Sequence, residues 1–174
     1  METEIRKAGL EDLELLMKWR MRVLAEVFAD DENKSSETVR ENNEAYYREH
    51  LADHSHTACF AVETGTGRII GCGGICYQKE MPSPDNMTGT NGYLMNIYTL
   101  PEVRSEGIGR KIIEYLINDA KERRTEKIFL ESSGVAKKLY HEIGFADMED
   151  YMKLEDQQYA DQRNMQPRKH SLAL

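Results

Sequence analysis

The sequence predicts an α/β fold of the α+β kind: a mixed, mostly antiparallel sheet with helices on both faces. Three observations predict it. The apolar runs read in the order β-α-α-β-β-β-α-β-α-β, and three consecutive strands exclude a doubly wound sheet. Residues 57–63 and 68–77 are apolar, β-branched or aromatic runs that flank Thr64-Gly65-Thr66-Gly67, a hairpin signature. A chain of 174 residues with 40% hydrophobic side chains supports one core and one domain.

Residues 3–8 read as a short edge strand. A helix follows over 10–28, because Leu13, Leu16, Met17, Val23, Leu24 and Val27 fall at offsets 0, 3, 4, 10, 11 and 14, one helical face. Gly9 serves as N-cap, with Asp12 near the positive helix end. Residues 30–36 are a polar break. Ser35 or Ser36 then caps a second helix to about residue 53. That helix carries Val39, Tyr46, Tyr47 and Leu51 among many polar residues, so it is expected over a groove. After the hairpin, residues 79–91 form a Pro/Gly/Asn/Ser-rich loop and 92–100 a fourth strand. Residues 107–124 are a helix with Ile108, Ile112, Leu116 and Ala120 on one side and Ile113 and Ile117 beside them. A fifth strand (127–131), a short helix (134–143) and a final strand region (145–154) complete the domain, 1–154. The polar tail 155–174 would need packing or a neighbouring subunit to order it, which admits a homodimer.

Composition narrows function. The net charge of -8 repels phosphate backbones, so no nucleic-acid partner is expected and a cationic substrate suits better. No apolar run approaches the ~18 residues of a membrane span, so no membrane partner is expected. The first seven residues lack a signal-peptide core, and Cys59, Cys72 and Cys76 are sparse and odd in number. A cytoplasmic location is expected. Cys72 and Cys76 lie in a Gly-rich strand without a second ligand pair and read as buried thiols. His50, Asp53, His54 and His56 read as helix-end residues interacting with the dipole instead of a metal cluster, so no metal is expected. Tyr46, Tyr47 and Trp19 read first as packing residues.

The informative stretch is 96–110, Asn-Ile-Tyr-Thr-Leu-Pro-Glu-Val-Arg-Ser-Glu-Gly-Ile-Gly-Arg. A strand ends at Pro101, and R-x-x-G-x-G opens a helix. Unpaired N–H groups and the helix dipole bind anions there, and glycines allow close approach. The N–H groups from Ser105 to Arg110 are thus placed to cradle a pyrophosphate. A P-loop fails for want of Gly-Lys-Ser/Thr. A Rossmann reading has Glu131 near the expected acidic position. It fails because Ile112 stands where a third small residue belongs, and too little chain follows.

A second segment, 133–145, ends in L-Y-x-x-x-G-F with Tyr140, Gly144 and Phe145. Together with P-E-x-R-x-x-G-I-G it resembles the GNAT superfamily of acetyl-CoA-dependent N-acyltransferases, over residues 3 to about 154. The resemblance implies a GNAT-like sheet with splayed fourth and fifth strands and acetyl-CoA as co-substrate. It implies a pyrophosphate on the Arg104, Ser105, Glu106, Gly107, Ile108, Gly109 and Arg110 turn, with Lys111 nearby. It implies a pantetheine arm along Ile97, Tyr98 and Thr99. Ser133 stands where relatives often have Asn, and would bond the cofactor or cap the next helix. The implied reaction is acetyl transfer to a primary amine, first of a small molecule, through a tetrahedral intermediate. The Ile97 N–H would serve the oxyanion and Tyr140 would be the general acid. Tyr93 stands where some relatives carry a glutamate, which leaves Glu131, Glu44 or a water chain as base. The alternatives are acetylation of a protein or peptide amine, and a catalytically idle CoA-binding module.

Overall fold

Cap chemistry sets the first boundaries. The Gly9 N–H donates to Asp12 Oδ2 at 3.3 Å, and Arg6 binds the same carboxylate at 2.9 Å, tying strand end to helix start. Ser36 Oγ accepts from the Val39 N–H at 3.3 Å and opens the second helix. A computed structural model describes residues 2–149 and 151–153. In chain order these form β1 (Thr3–Ala8), a 3-10 turn (Leu10–Asp12), α1 (Leu13–Val27), α2 (Glu37–Ala52), β2 (His56–Glu63) and β3 (Ile69–Lys79). There follow β4 (Thr90–Thr99), a 3-10 turn (Pro101–Val103), α3 (Ile108–Glu122), β5 (Lys127–Leu130) and α4 (Lys137–Ile143).

The sheet order is β1-β2-β3-β4-β5, antiparallel except for the parallel pair β4–β5. Successive side chains alternate between its faces. Phe60, Cys72 and Tyr98 are cross-strand partners on the α1 side. There the buried Trp19 ring lies 6.3 Å from Phe60 and 6.0 Å from Tyr98. On the opposite face α3 buries Ile112, Ile113, Leu116 and Ala120. A Cβ on Gly73 would come within 2.4 Å of Ile112, so a bare backbone lets α3 seat on β3. α2 buries only Tyr47 and Leu51, in keeping with its polar composition.

One carboxylate stitches α3 to the sheet. Asp119 Oδ2 accepts from Thr57 Oγ1 at 2.8 Å, the Tyr77 hydroxyl at 2.6 Å and Arg123 Nε at 2.9 Å. The Arg123 guanidinium also lies 4.4 Å from the Tyr77 ring centre. Burial pushes the Asp119 pKa up, but the bonds from Tyr77 and Thr57 and the Arg123 charge outweigh it and hold it below the usual value.

Two expectations need correction. The short helix starts at Lys137, not residue 134, because Ser133–Ala136 closes as a turn, with the Ala136 N–H bonded to Ser133 O at 3.2 Å and Oγ at 3.4 Å. Residues 145–149 and 151–153 form no strand. Asp147 is drawn to Lys137 at 2.9 Å and His141 at 3.4 Å, which holds the segment against α4. Leu154 and the tail 155–174 lie outside the described residues. Among the described residues no helix is long and apolar enough to cross a membrane.

Candidate active site

β4 is longer than its parallel partner. Pairing with β5 runs from Asn91↔Lys127 to Leu94↔Leu130 and stops there, while β4 continues to Thr99. Among the described residues no strand covers the β5-side edge of Met95 to Thr99. β4 is also bulged here. Cys72 faces Tyr98 and Gly74 faces Met95, so Gly73 opposes both Asn96 and Ile97. Asn96 takes a left-handed φ of 58°, which asparagine tolerates better than most residues.

A cavity of about 310 Å³ opens at this divergence. Its wall brings together Ile97, Glu131, Ser133 and Tyr140 from the sequence reading with Arg20 and Asn96. Tyr140 is 7% exposed, and its ring meets Phe145 edge to face at 5.7 Å. Its hydroxyl has no hydrogen-bond partner among the described residues, and burial pushes its pKa up to about 12. A larger hollow of about 910 Å³ follows the open edge of β5 and shares Tyr93, Glu131 and Tyr140. Its wall does not include Asn96 and Ile97, which line the smaller cavity.

The turn after β4 forms the second part of the site. Ser105 and Gly107 adopt φ of 67° and 78°, aiming the turn into α3. Among the described residues nothing accepts a hydrogen bond from the N–H groups of Ser105 to Arg110; Lys111 is the first to bond, to Gly107 O at 3.2 Å. A Cβ on Gly107 would meet no atom within 4 Å, so the space before it is open. Ser105, Glu106 and Lys111 are exposed, while Ile108 and Gly109 are buried. Residues 104–110 lie outside the cavity wall itself.

Several predicted side chains have other work. Arg104 binds Glu26 at 2.6 Å, and its N–H donates to Pro101 O at 3.4 Å. The Tyr98 hydroxyl donates to the same Glu26 at 2.7 Å, so Tyr98 and Thr99, both buried, offer the site backbone and not side chain. Arg110 binds Glu142 at 2.8 Å. Tyr93 packs on Phe129 at 5.1 Å, and its pKa is raised by burial and then by Glu131. Glu44 is held by Arg48 at 2.7 Å. The histidines turn to separate partners: His50 Nδ1 lies 2.7 Å from Ser55 Oγ, and buried His56 lies 3.2 Å from the Tyr46 hydroxyl. No group of three or more ligating side chains is placed to hold a metal ion among the described residues.

Arg20 and Asn96 escaped the sequence reading. Nη1 of Arg20 donates to Asn96 Oδ1 at 3.1 Å and Nε to Asn43 Oδ1 at 2.8 Å. A signal existed: Arg20 stands at offset 7 from Leu13, the position left empty in the apolar stripe of α1.

Comparisons with known proteins agree with this fold. The family model "Acetyltransferase (GNAT) family" matches residues 19–145. A predicted acetyltransferase with acetyl-CoA from Clostridium acetobutylicum is 30% identical, covering 88% of this chain and 96% of its own, with a TM-score of 0.79. A GCN5-related N-acetyltransferase from Ralstonia eutropha JMP134 is 21% identical over 88% and 99%, with a TM-score of 0.75. An aminoglycoside acetyltransferase from an uncultured soil metagenomic sample is 20% identical over 90% and 99%, with a TM-score of 0.69. Those two share the fold. Among curated proteins, none matches the chain.

Proposed function

The chain belongs to the GNAT family of acetyltransferases, and from that premise we propose that it transfers the acetyl group of acetyl-CoA to a primary amine of a small molecule, by direct attack through a tetrahedral intermediate. One observation carries the reading. The separation of β5 from β4 after Leu94 opens a cavity onto the Ile97 bulge and the unpartnered hydroxyl of Tyr140.

The residues present fit the co-substrate. The open N–H groups of Ser105 to Arg110 receive the pyrophosphate. The uncovered backbone of Ile97, Tyr98 and Thr99 receives the pantetheine amides as it would another strand. Bound acetyl-CoA supplies an acyl group already activated as a thioester. The Ile97 N–H, within the bulge, donates to the oxyanion, a contact typically worth about 3 kcal/mol. The Tyr140 hydroxyl stays protonated at neutral pH and donates to the departing sulfur. It meets a charge that appears only during reaction, so it acts on the transition state. Aliphatic amines titrate near ~10.4 and arrive protonated. Glu131, the only carboxylate on the cavity wall among the described residues, takes that proton directly or through water. Glu44 is withdrawn from the role by Arg48.

The small volume favours a small amine over a side chain presented by a folded protein. The test is thiol release from acetyl-CoA across a panel of small amines and peptides. Turnover with small amines is expected. Acetyl-CoA binding without thiol release from any amine would leave an idle CoA-binding module.

A further inference from the structure

Among the described residues four arginines are half-buried: Arg20, Arg104, Arg110 and Arg123. Three have carboxylates: Arg104 has Glu26 at 2.6 Å, Arg110 has Glu142 at 2.8 Å, and Arg123 has Asp119 at 2.9 Å. Arg20 has none among the described residues. It meets only the neutral amide oxygens of Asn43 and Asn96, through Nε and Nη1, and no described residue accepts from Nη2. A guanidinium carries five N–H donors in a planar fork. Two are used, and the free ones sit on a side chain that lines the cavity. Partial burial makes an uncompensated cation unfavourable, and a carboxylate accepting two parallel N–H bonds is the partner whose geometry fits.

Arg20 and Glu131 are the only charged side chains on the cavity wall among the described residues. One cation and one anion facing a small cavity match a molecule carrying both charges. Arg20 is also one residue from the candidate oxyanion donor, since Asn96 precedes Ile97. We propose that Arg20 reads a carboxylate on the acceptor, so that the amine acetylated is of the amino-acid type, its carboxylate on Arg20 and its amino group toward Glu131. This rests on the acetyltransferase reading and names the acceptor class within it. The overall charge of -8 points the other way, toward cations, but the wall of the cavity and not the distant surface sets what is held there.

The full chain is assayed for thiol release from acetyl-CoA with matched sets: an L-α-amino acid, its amide, and its decarboxylated amine, over apolar, hydroxyl and basic side chains. The acid is expected to exceed its amide in kcat/KM by about 10- to 100-fold, the worth of one charge-assisted contact. In Arg20→Gln that ratio should fall to within about threefold, because the loss on the acid exceeds the loss on the amide. An Arg20 that merely braces the bulge would lower both alike and leave the ratio intact. Arg20→Lys keeps the charge without the fork and should give an intermediate ratio, which preserves the test should the Gln variant not fold. A parent enzyme that turns over amines without favouring acids, or a ratio that survives in the variants, overturns the Arg20 assignment while acetyl transfer stands. No thiol release with any amine overturns the acetyltransferase reading, and the assignment falls with it.

Discussion

Arg123 and Arg20 are both half-buried and both join a helix to the sheet, yet their surroundings differ. Arg123 meets a carboxylate that already holds Thr57 and Tyr77, and it stacks on the Tyr77 ring and reaches the His54 carbonyl at 2.7 Å. Arg20 meets two neutral amides and an open cavity. A polar network closed on itself holds secondary structure together; one left short of a counter-ion has room for a ligand. The same contrast separates the pair formed by the half-buried Tyr46 hydroxyl and the buried His56 imidazole from Tyr140, whose hydroxyl has no partner among the described residues. Changes in closed networks should appear in stability, and changes in the open region in turnover and binding.

The largest effect is expected in the open region. Tyr140→Phe keeps the ring against Phe145 and removes only the donor. Turnover should fall about 10²- to 10⁴-fold, with acetyl-CoA affinity little changed. Steady-state kinetics and a direct titration check this. A folded variant within about twofold of parental turnover, with chemistry rate-limiting, would remove the acid role.

Next comes the paired, buried His56. Burial, then the nearby His50 and Arg20 charges, depresses His56 from 6.5 to about 4. The folded state holds this imidazole neutral while the unfolded chain binds a proton below pH 6.5. Its contribution is therefore complete above the unfolded value and is lost as pH falls from 6.5 toward 4, by about 3 kcal/mol. Urea titrations at pH 7 and 4.5 measure the loss, and His56→Gln should flatten it. An equal slope in both proteins contradicts the buried-neutral assignment.

A slightly smaller effect tests the N–H groups at the start of α3. Acetyl-CoA at 100 times its dissociation constant should stabilise the chain by about 2.7 kcal/mol. Gly107→Ala should weaken that response, since its φ of 78° disfavours a side chain and the open space ahead would be filled. Thermal shifts with and without ligand decide it. An undiminished response in the variant would move the phosphates elsewhere.

The smallest effect is the converse control. Asp119→Asn breaks a closed network that contributes no residue to the cavity wall and should cost about 1–3 kcal/mol of stability with kcat unchanged. Because the Asp119 pKa is depressed, its contribution is present above the usual carboxylate value and fades as pH falls through the folded one. A marked fall in kcat at unchanged stability would break the division between the two kinds of network.

Much of this was legible locally. Gly9 and Ser36 act where cap chemistry places them, and the α3 stripe buries Ile108, Ile112, Ile113, Leu116 and Ala120, with Ile117 half-buried beside them. The R-x-x-G-x-G turn leaves its N–H groups open because any helix start does. Each of these depends on neighbours within a few positions, so the sequence alone determined them, and its three consecutive strands pointed to the mixed sheet. The bulge at Asn96 was not legible: a period-2 pattern does not register one extra residue until Gly73 lies across from it. The early end of the β4–β5 pairing was implied only by the family resemblance and not by any local pattern, and the segment after α4, which bonds to Lys137 and His141 instead of pairing as a strand, was hidden. Arg20 stood in plain sight on an apolar stripe, but its meaning required Asn96, 76 residues away. Tertiary structure decided these because contact between distant segments, not local propensity, determines whether a buried charge finds a partner.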